Sequence, residues 1–215
     1  MRVVVPFDPR DPKTRLDAIL DEGERREFAR AMLTDVVEAI GGTDITPEVL
    51  TTTPIDVPGA ATLVDERPLS QAVNAVLDVT SEPTAVVMAD VPLLTPSSCS
   101  RLFEAAGEVV LARGMGGGTN ALVTRHSDFR VDYHGASYLD HLEVAERYGA
   151  SVTELDSYRF SVDIDEPGDV SEVLLHGHGE TYDWLRNAGF RLDTGDGRVA
   201  VERVRESNDV ETIST

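Results

Sequence analysis

Thr84-Ala85-Val86-Val87-Met88-Ala89-Asp90-Val91-Pro92-Leu93-Leu94 sets an apolar run, Ala85 to Met88, directly before an Asp and a Pro. Bounded by Pro83 and Pro92, such a run reads as a strand buried on both faces, the centre of a parallel sheet. Pro92 has no N–H to give to a ladder, so the strand must stop close to Asp90. One carboxylate is thereby left at the carboxyl end of the innermost strand, where open α/β sheets bind ligands. Asp90 could equally cap a turn before Pro92, as Asp often does. A second acidic cluster, Asp163-Ile164-Asp165, and a basic loop near the N-terminus favour the first reading, in which the three form a metal-and-phosphate site.

Upstream, Val3-Val4-Val5-Pro6-Phe7 reads as a short buried strand. The loop after it, Asp8-Pro9-Arg10-Asp11-Pro12-Lys13-Thr14-Arg15-Leu16, has two prolines and no apolar period. Arg2, Arg10, Lys13 and Arg15 outnumber Asp8 and Asp11, giving local positive charge in a chain of net charge −20. A basic loop leaving a first strand is a natural seat for a polyphosphate. Lys13, the only lysine in the chain, falls here, and favours a functional loop over a merely solvated one.

Asp21 followed by Glu24 has the form of a capping box, and Phe28, Met32, Val36 and Ile40 continue at helical spacing until Gly41-Gly42. Strands are expected at Val49–Thr53 and Ala61–Val64, and an amphipathic helix over Leu69–Leu77 leads into the central strand. A helix from Pro96 to about Ala106 and a strand at Val109–Ala112 follow. Arg113-Gly114-Met115-Gly116-Gly117-Gly118-Thr119-Asn120 comes next, before Ala121-Leu122-Val123. So many glycines let the backbone approach a ligand and present its N–H groups, although the stretch is neither a P-loop nor a dinucleotide fingerprint. Ser137 is expected to N-cap a helix through Leu139, Leu142 and Ala145. With Gly135 ahead of it, that helix start could offer N–H groups to an anion, and His141, one turn on, could face the ligand. Phe160–Asp165 alternates as a strand with Asp163 and Asp165 on one side. Two such carboxylates are costly unless a cation lies between them. Glu166-Pro167 then opens a helix. His176-Gly177-His178-Gly179 reads as a loop.

At 215 residues the chain is expected to form one domain over 1–206, with 176–206 an appended helix and hairpin and 207–215 a frayed tail. No stretch approaches a membrane span and Met1-Arg2-Val3 has no signal-peptide pattern. The single cysteine, Cys99, excludes an internal disulfide and fits a reducing cytoplasm. So acidic a surface repels nucleic acid and anionic membranes, which excludes both as partners. It also points to a salt-rich, halophilic setting, as does the near absence of lysine; folding measured against KCl tests this.

Taken in order, Val5-Pro6-Phe7 with Lys13-Thr14-Arg15-Leu16, Ala89-Asp90-Val91-Pro92-Leu93, Gly118-Thr119-Asn120-Ala121-Leu122, Ser137-Tyr138 with His141, and Asp163-Ile164-Asp165-Glu166-Pro167-Gly168-Asp169 resemble the 2-phospho-L-lactate guanylyltransferase family of deazaflavin coenzyme F-420 biosynthesis. The resemblance spans roughly residues 1–175. It implies a three-layer α/β/α, GT-A-like nucleotide-diphospho-sugar transferase fold with a mostly parallel central sheet. It further implies use of Mg²⁺ and joining of GTP to 2-phospholactate or phosphoenolpyruvate with release of pyrophosphate, in a homodimer. Carried over, it implies that Asp90, Asp163 and Asp165 hold the metal and that Lys13 and Arg15 meet the nucleotide phosphates. Thr119 and Ser137 would give N–H groups to the substrate carboxylate, with Asn120, His134, Gly135 and His141 beside them. His134-Gly135-Ala136 stands where members often have Gly-Pro, so the third N–H donor is left open. Three alternatives stay in play: a molybdopterin or sugar-phosphate nucleotidyltransferase, a metal-dependent glycosyltransferase, and a non-catalytic nucleotide-binding module.

Overall fold

The computed structural model describes residues 1–195, 199–204 and 210–213. In chain order it begins with β1 (Arg2–Phe7), a 3₁₀ turn at Thr14–Leu16, α1 (Glu22–Gly41), β2 (Glu48–Thr51), β3 (Ala61–Val64), α2 (Leu69–Asp78) and β4 (Thr84–Val87). It continues through α3 (Pro96–Glu104), β5 (Val109–Arg113), β6 (Thr119–Thr124), α4 (Ser137–Arg147), β7 (Val152–Glu154) and α5 (Tyr158–Ser161). A 3₁₀ turn at Pro167–Asp169 precedes α6 (Val170–His176), α7 (Glu180–Asn187), β8 (Phe190–Asp193), β9 (Ala200–Val204) and β10 (Val210–Ile213).

Seven strands make one sheet in the order β3-β2-β1-β4-β6-β5-β7, in which β6 alone runs against its neighbours. The sheet is therefore mostly parallel, as the continuous apolar runs require. Successive residues of its central strands pack into different layers. Val3, Val5, Ala85, Val87, Val110, Ala112, Ala121 and Val123 enter a core shared with α1, α3 and α6. Val4, Val86, Val109, Leu111 and Leu122 enter a second core, under α2 and α4. Both faces are covered, which is the three-layer α/β/α architecture.

The helix signals act as read. Asp21 accepts from the Glu24 N–H at 2.9 Å and Glu24 accepts from the Asp21 N–H at 3.0 Å, closing the capping box of α1. Thr95 caps α3 ahead of Pro96. Two expectations fail locally. Phe160–Asp165 is not a strand: Phe160 and Ser161 donate back to the Ser157 carbonyl and close the helical turn α5. The alternation survives in the extended segment beyond, where Val162 and Ile164 are buried and a bond from Ile164 N–H to the Asp90 carbonyl, at 3.0 Å, stands in place of a ladder. Nor does Ser137 cap α4. Ala136 holds the cap position with no side-chain bond, because the Ser137 hydroxyl is engaged elsewhere.

The C-terminal segment is built onto α1. Asp35, buried on α1, accepts from the Glu180 and Thr181 N–H groups at 2.8 and 2.9 Å and so caps α7 from across the fold. Phe28 and Trp184 rings meet at 5.2 Å. Arg203 of β9 lies over the Phe190 ring and donates to the Ile19 and Ala188 carbonyls and to Glu24. Strands β8, β9 and β10 form a separate antiparallel sheet. The Gly turn expected between β8 and β9 falls partly on 196–198, and the frayed tail partly on 207–209 and 214–215, outside the described residues.

Candidate active site

The sheet reverses its winding between β1 and β4, so a crevice opens beyond the carboxyl ends of these two strands. A cleft of about 600 Å³ occupies it. Met88 N–H donates to the Asn120 carbonyl and ends the β4 pairing, after which the chain turns through Ala89-Asp90. Asp90 therefore stands where the apolar run places it.

The loop leaving β1 delivers Lys13. Its backbone is left-handed, with φ 57° and ψ 42°, unusual for a residue with a side chain. Leu16 N–H donates to its carbonyl at 2.9 Å and holds that turn. Backbone strain of this kind collects at functional positions. Lys13 Nζ donates to Asp90 Oδ2 at 2.7 Å and to Asp165 Oδ1 at 2.6 Å. The Lys13 side chain is 10% exposed, against 25% for Asp90 and 40% for Asp165. Burial would lower the Lys13 pKa, but the two carboxylates outweigh it and hold the ammonium above its ordinary value. Arg15 is more distant, with Nη1 3.8 Å from Asp165 Oδ2.

Asp165 is held by its own turn. Asp169 accepts from the Asp165 and Glu166 N–H groups at 3.0 and 2.8 Å. Asp163 faces another partner: Asn120 Nδ2 donates to Asp163 Oδ1 at 3.0 Å and to the Phe160 carbonyl at 2.8 Å. Burial raises the Asp163 pKa, and the charges of Asp90 and Asp165 add to that. Gly114 makes room for this arrangement, since a Cβ there would meet the Asn120 amide at 2.7 Å.

The expected carboxylate-binding group is assembled but turned inward. Thr119 N–H donates to Ser137 Oγ at 3.0 Å, so that N–H and the Ser137 hydroxyl engage one another in this geometry. His141 is fully buried rather than facing the cleft. Its Nε2 accepts from the Asp132 N–H at 3.0 Å, which leaves Nδ1–H to donate to Thr119 Oγ1 at 2.8 Å. Burial pushes the His141 pKa down to about 4, so the ring is neutral and acts as a brace. His134 and Gly135 lie exposed before α4. Lys13, Arg15, Asp90 and Asp165 line the cleft; Asp163, Thr119, Asn120, His134, Gly135, Ser137 and His141 do not.

The cleft has a second end that sequence reading passed over. It is lined by Asp8, Arg10 and Thr52 and by the turn Asp65-Glu66-Arg67. Arg10 clamps Asp8 and holds its pKa down at about 2, and Thr52 donates to the same carboxylate at 2.7 Å. A charged Asp-Glu-Arg-Pro turn directly after the strand Ala61–Val64 was the available signal, because that strand too ends on the ligand side.

Among the described residues no group of three or more His, Cys, Asp or Glu side chains forms a ready cation nest. Three aspartates around one vacancy are thus not what the fold presents. What it presents is two carboxylates converging on a single cation, the Lys13 ammonium. Hard oxygen donors in that number suit Mg²⁺, which commonly takes one or two carboxylates and completes its shell with water and substrate phosphates. The donor set therefore fits such an ion, with Lys13 required to give way.

Cys99 is buried, its thiol pushed up to about 12, consistent with a bystander.

Comparisons agree with this architecture. By structure the chain is similar to a protein described as a nucleotide-diphospho-sugar transferase from Desulfovibrio desulfuricans G20, with TM-score 0.66 at 15% identity, covering 87% of this chain and 95% of that one. A nucleotidyl transferase from Methanothermobacter gives TM-score 0.55 at 14% identity, covering 86% and 98%. Identities this low bear on the fold alone. By sequence it is 57% identical over 203 residues to a 2-phospho-L-lactate guanylyltransferase of Halomicrobium mukohataei, covering 94% of this chain and all of that one. The protein of the same name from Haloferax volcanii is 54% identical over 207 residues, covering 96% and 99%. Residues 1–206 match the family described as "Guanylyl transferase CofC like", and the chain belongs to that family.

Proposed function

We propose that this chain joins GTP to a small phosphorylated carboxylic acid, 2-phospho-L-lactate or phosphoenolpyruvate, and releases pyrophosphate, a step of coenzyme F-420 biosynthesis. The observation that carries the reading is the Lys13 ammonium seated between Asp90 and Asp165 at the head of the cleft. The names of the relatives supply the guanylyl group and 2-phospho-L-lactate, and the family resemblance adds phosphoenolpyruvate. A phosphate oxygen of the acceptor attacks the α-phosphorus of GTP, forming a P–O bond as the bond to the pyrophosphate oxygen breaks. The attacking phosphate is already anionic at neutral pH, so no side chain need remove a proton. Buried histidine, threonine and serine accordingly have no nucleophilic work here.

In an acidic protein two anionic substrates need local neutralisation. Lys13 and Arg15 supply it for the phosphates, and the loop after β1 holds them at the strand ends. Asp90 and Asp165, with Asp163 behind them, would hold Mg²⁺, which when bound supplies charge neutralisation and alignment of the phosphates. Asn120 fixes Asp163, while Ser137 and His141 fix Thr119. A homodimer is supported by the family resemblance, and sedimentation tests it.

A pyrophosphate-release assay crossing four nucleoside triphosphates with both acceptors tests the reading. Asp90→Asn is expected to lose turnover by about 10³-fold with the fold intact, the scale of an electrostatic group at the reacting phosphates. Release of nucleoside diphosphate instead of pyrophosphate, or near-wild-type turnover in Asp90→Asn, overturns it.

A further inference from the structure

We propose that Glu66 and Arg67 select guanine, Glu66 by accepting from N1–H and the N2 amino group, Arg67 by donating to O6 and N7. This rests on the guanylyltransferase reading and assigns the base-reading end of the same cleft. Five carboxylates line that cleft: Asp8, Asp65, Glu66, Asp90 and Asp165. Asp90 and Asp165 share Lys13, Asp8 is clamped by Arg10 and Thr52, and Asp65 holds Arg67. Among the described residues Glu66 alone of the five has neither a hydrogen bond nor an ion pair. Glu66 feels the Arg10 charge at a distance but holds no hydrogen-bond partner, so its carboxylate oxygens are open to accept from a ligand.

Arg67 is its complement. Asp65 takes the Arg67 N–H at 3.0 Å and the guanidinium Nε at 2.9 Å, with Nη2 on the other carboxylate oxygen. One edge of the guanidinium, Nε with Nη2, is thus fixed, and the end of the fork, Nη1 with the second N–H of Nη2, is left to donate. Planar donation from arginine to O6 and N7 is a common way of reading guanine, and a carboxylate matches the paired donors on N1 and N2. Leu50, Leu69 and Ala72 give this end of the cleft apolar walls for a flat base. Adenine turns an acceptor, N1, toward the same carboxylate and has no N2 amino group. A site built to accept hydrogen bonds rejects a ligand lacking the donors far more strongly than a merely apolar slot does.

The test is equilibrium binding of GTP, ITP and ATP to the whole chain and to Glu66→Gln, with the pyrophosphate assay on the same proteins. ITP is guanosine triphosphate without the N2 amino group. The native chain should favour GTP over ITP and over ATP, each by about 10-fold or more. Glu66→Gln, an exposed substitution, should keep the fold by circular dichroism and bring GTP and ITP within about threefold of one another, the scale of one lost hydrogen bond. Unchanged ratios in Glu66→Gln, or a native chain that binds the three alike, overturns the assignment. Failure of the transferase reading looks different: guanine-selective binding, abolished in Glu66→Gln, with no pyrophosphate released from any acceptor.

Discussion

Replacing Lys13 by Met removes the cation from between Asp90 and Asp165 while keeping most of the side chain's apolar length. The cost follows from how buried the triad is. Breaking a fully buried ion pair costs about 3–5 kcal/mol, because a charge is left stranded, whereas an exposed pair is worth about 0–1 kcal/mol. Lys13 sits near the first limit, at 10% exposure, but Asp165, at 40%, reaches enough water to be solvated after the loss. The substitution should therefore cost about 2 kcal/mol, less in strong KCl. For a domain of this size that lowers the midpoint of thermal unfolding by about 4–8 °C. The two carboxylates then face one another with only the exposed Arg15, 3.8 Å from Asp165, as counter-charge, so a divalent cation should stabilise the variant more than the native chain. An ion at 100 times its dissociation constant returns about 2.7 kcal/mol, enough to erase the deficit. The assay is thermal unfolding of both proteins at constant ionic strength over a MgCl₂ titration. Lys13 being the only lysine, ¹⁵N-lysine labelling adds a direct reading: one side-chain ammonium signal, protected in the native chain and exposed in Asp90→Asn. The reasoning fails if Lys13→Met melts with the native chain and gains no more from Mg²⁺ than it does.

Three further outcomes follow from the geometry. His141 titrates near 4 in the fold against about 6.5 unfolded, so its contribution is fully present above 6.5 and is lost as pH falls toward 4, about 3 kcal/mol in all; urea midpoints from pH 7 to 4.5 should fall more steeply for the native chain than for His141→Gln, and parallel curves refute it. Asp35→Ala should cost about 1–2 kcal/mol and release hydrogen exchange first in α7, whose N-terminal N–H groups lose their acceptor; unchanged protection of Glu180–Asn187 counts against the cap. Gly114→Ala should push the Asn120 amide off Asp163 and lower kcat/KM by about 10-fold or more with little change in melting, and should not add to Asn120→Ala, since both release Asp163. Additive losses would show that Gly114 acts by another route.

How much of this was legible in the sequence depends on the range of the interactions involved. The apolar run Ala85–Met88, the capping box at Asp21 and Glu24 and the Thr95-Pro96 start are local, and each forms where the residues place it. Phe160–Asp165 shows where local pattern misleads. Its period of two is genuine, burying Val162 and Ile164, but a strand needs a partner ladder, and this segment meets the Asp90 carbonyl with a single bond. His141 is expected to face the ligand because helical spacing puts it on one face with Ser137, whose helix start is read as an N–H donor. Spacing cannot tell which way that face turns, and Thr119 takes both side chains inward.

Lys13 is the instructive residue. That a lone lysine in a basic loop would be functional could be read from charge alone. That its ammonium would sit between carboxylates 77 and 152 residues away could not, because the juxtaposition is made by the sheet winding outward in both directions from β1 and β4. The same winding brings the turn after β3 to the far end of the cleft. Sequence reading found the phosphate end through its acidic and basic extremes, and overlooked the end where Asp65 and Arg67 satisfy one another and leave Glu66 over. A base-reading site marks itself only by that leftover, and a leftover becomes visible only when every other charge in the cleft has been paired.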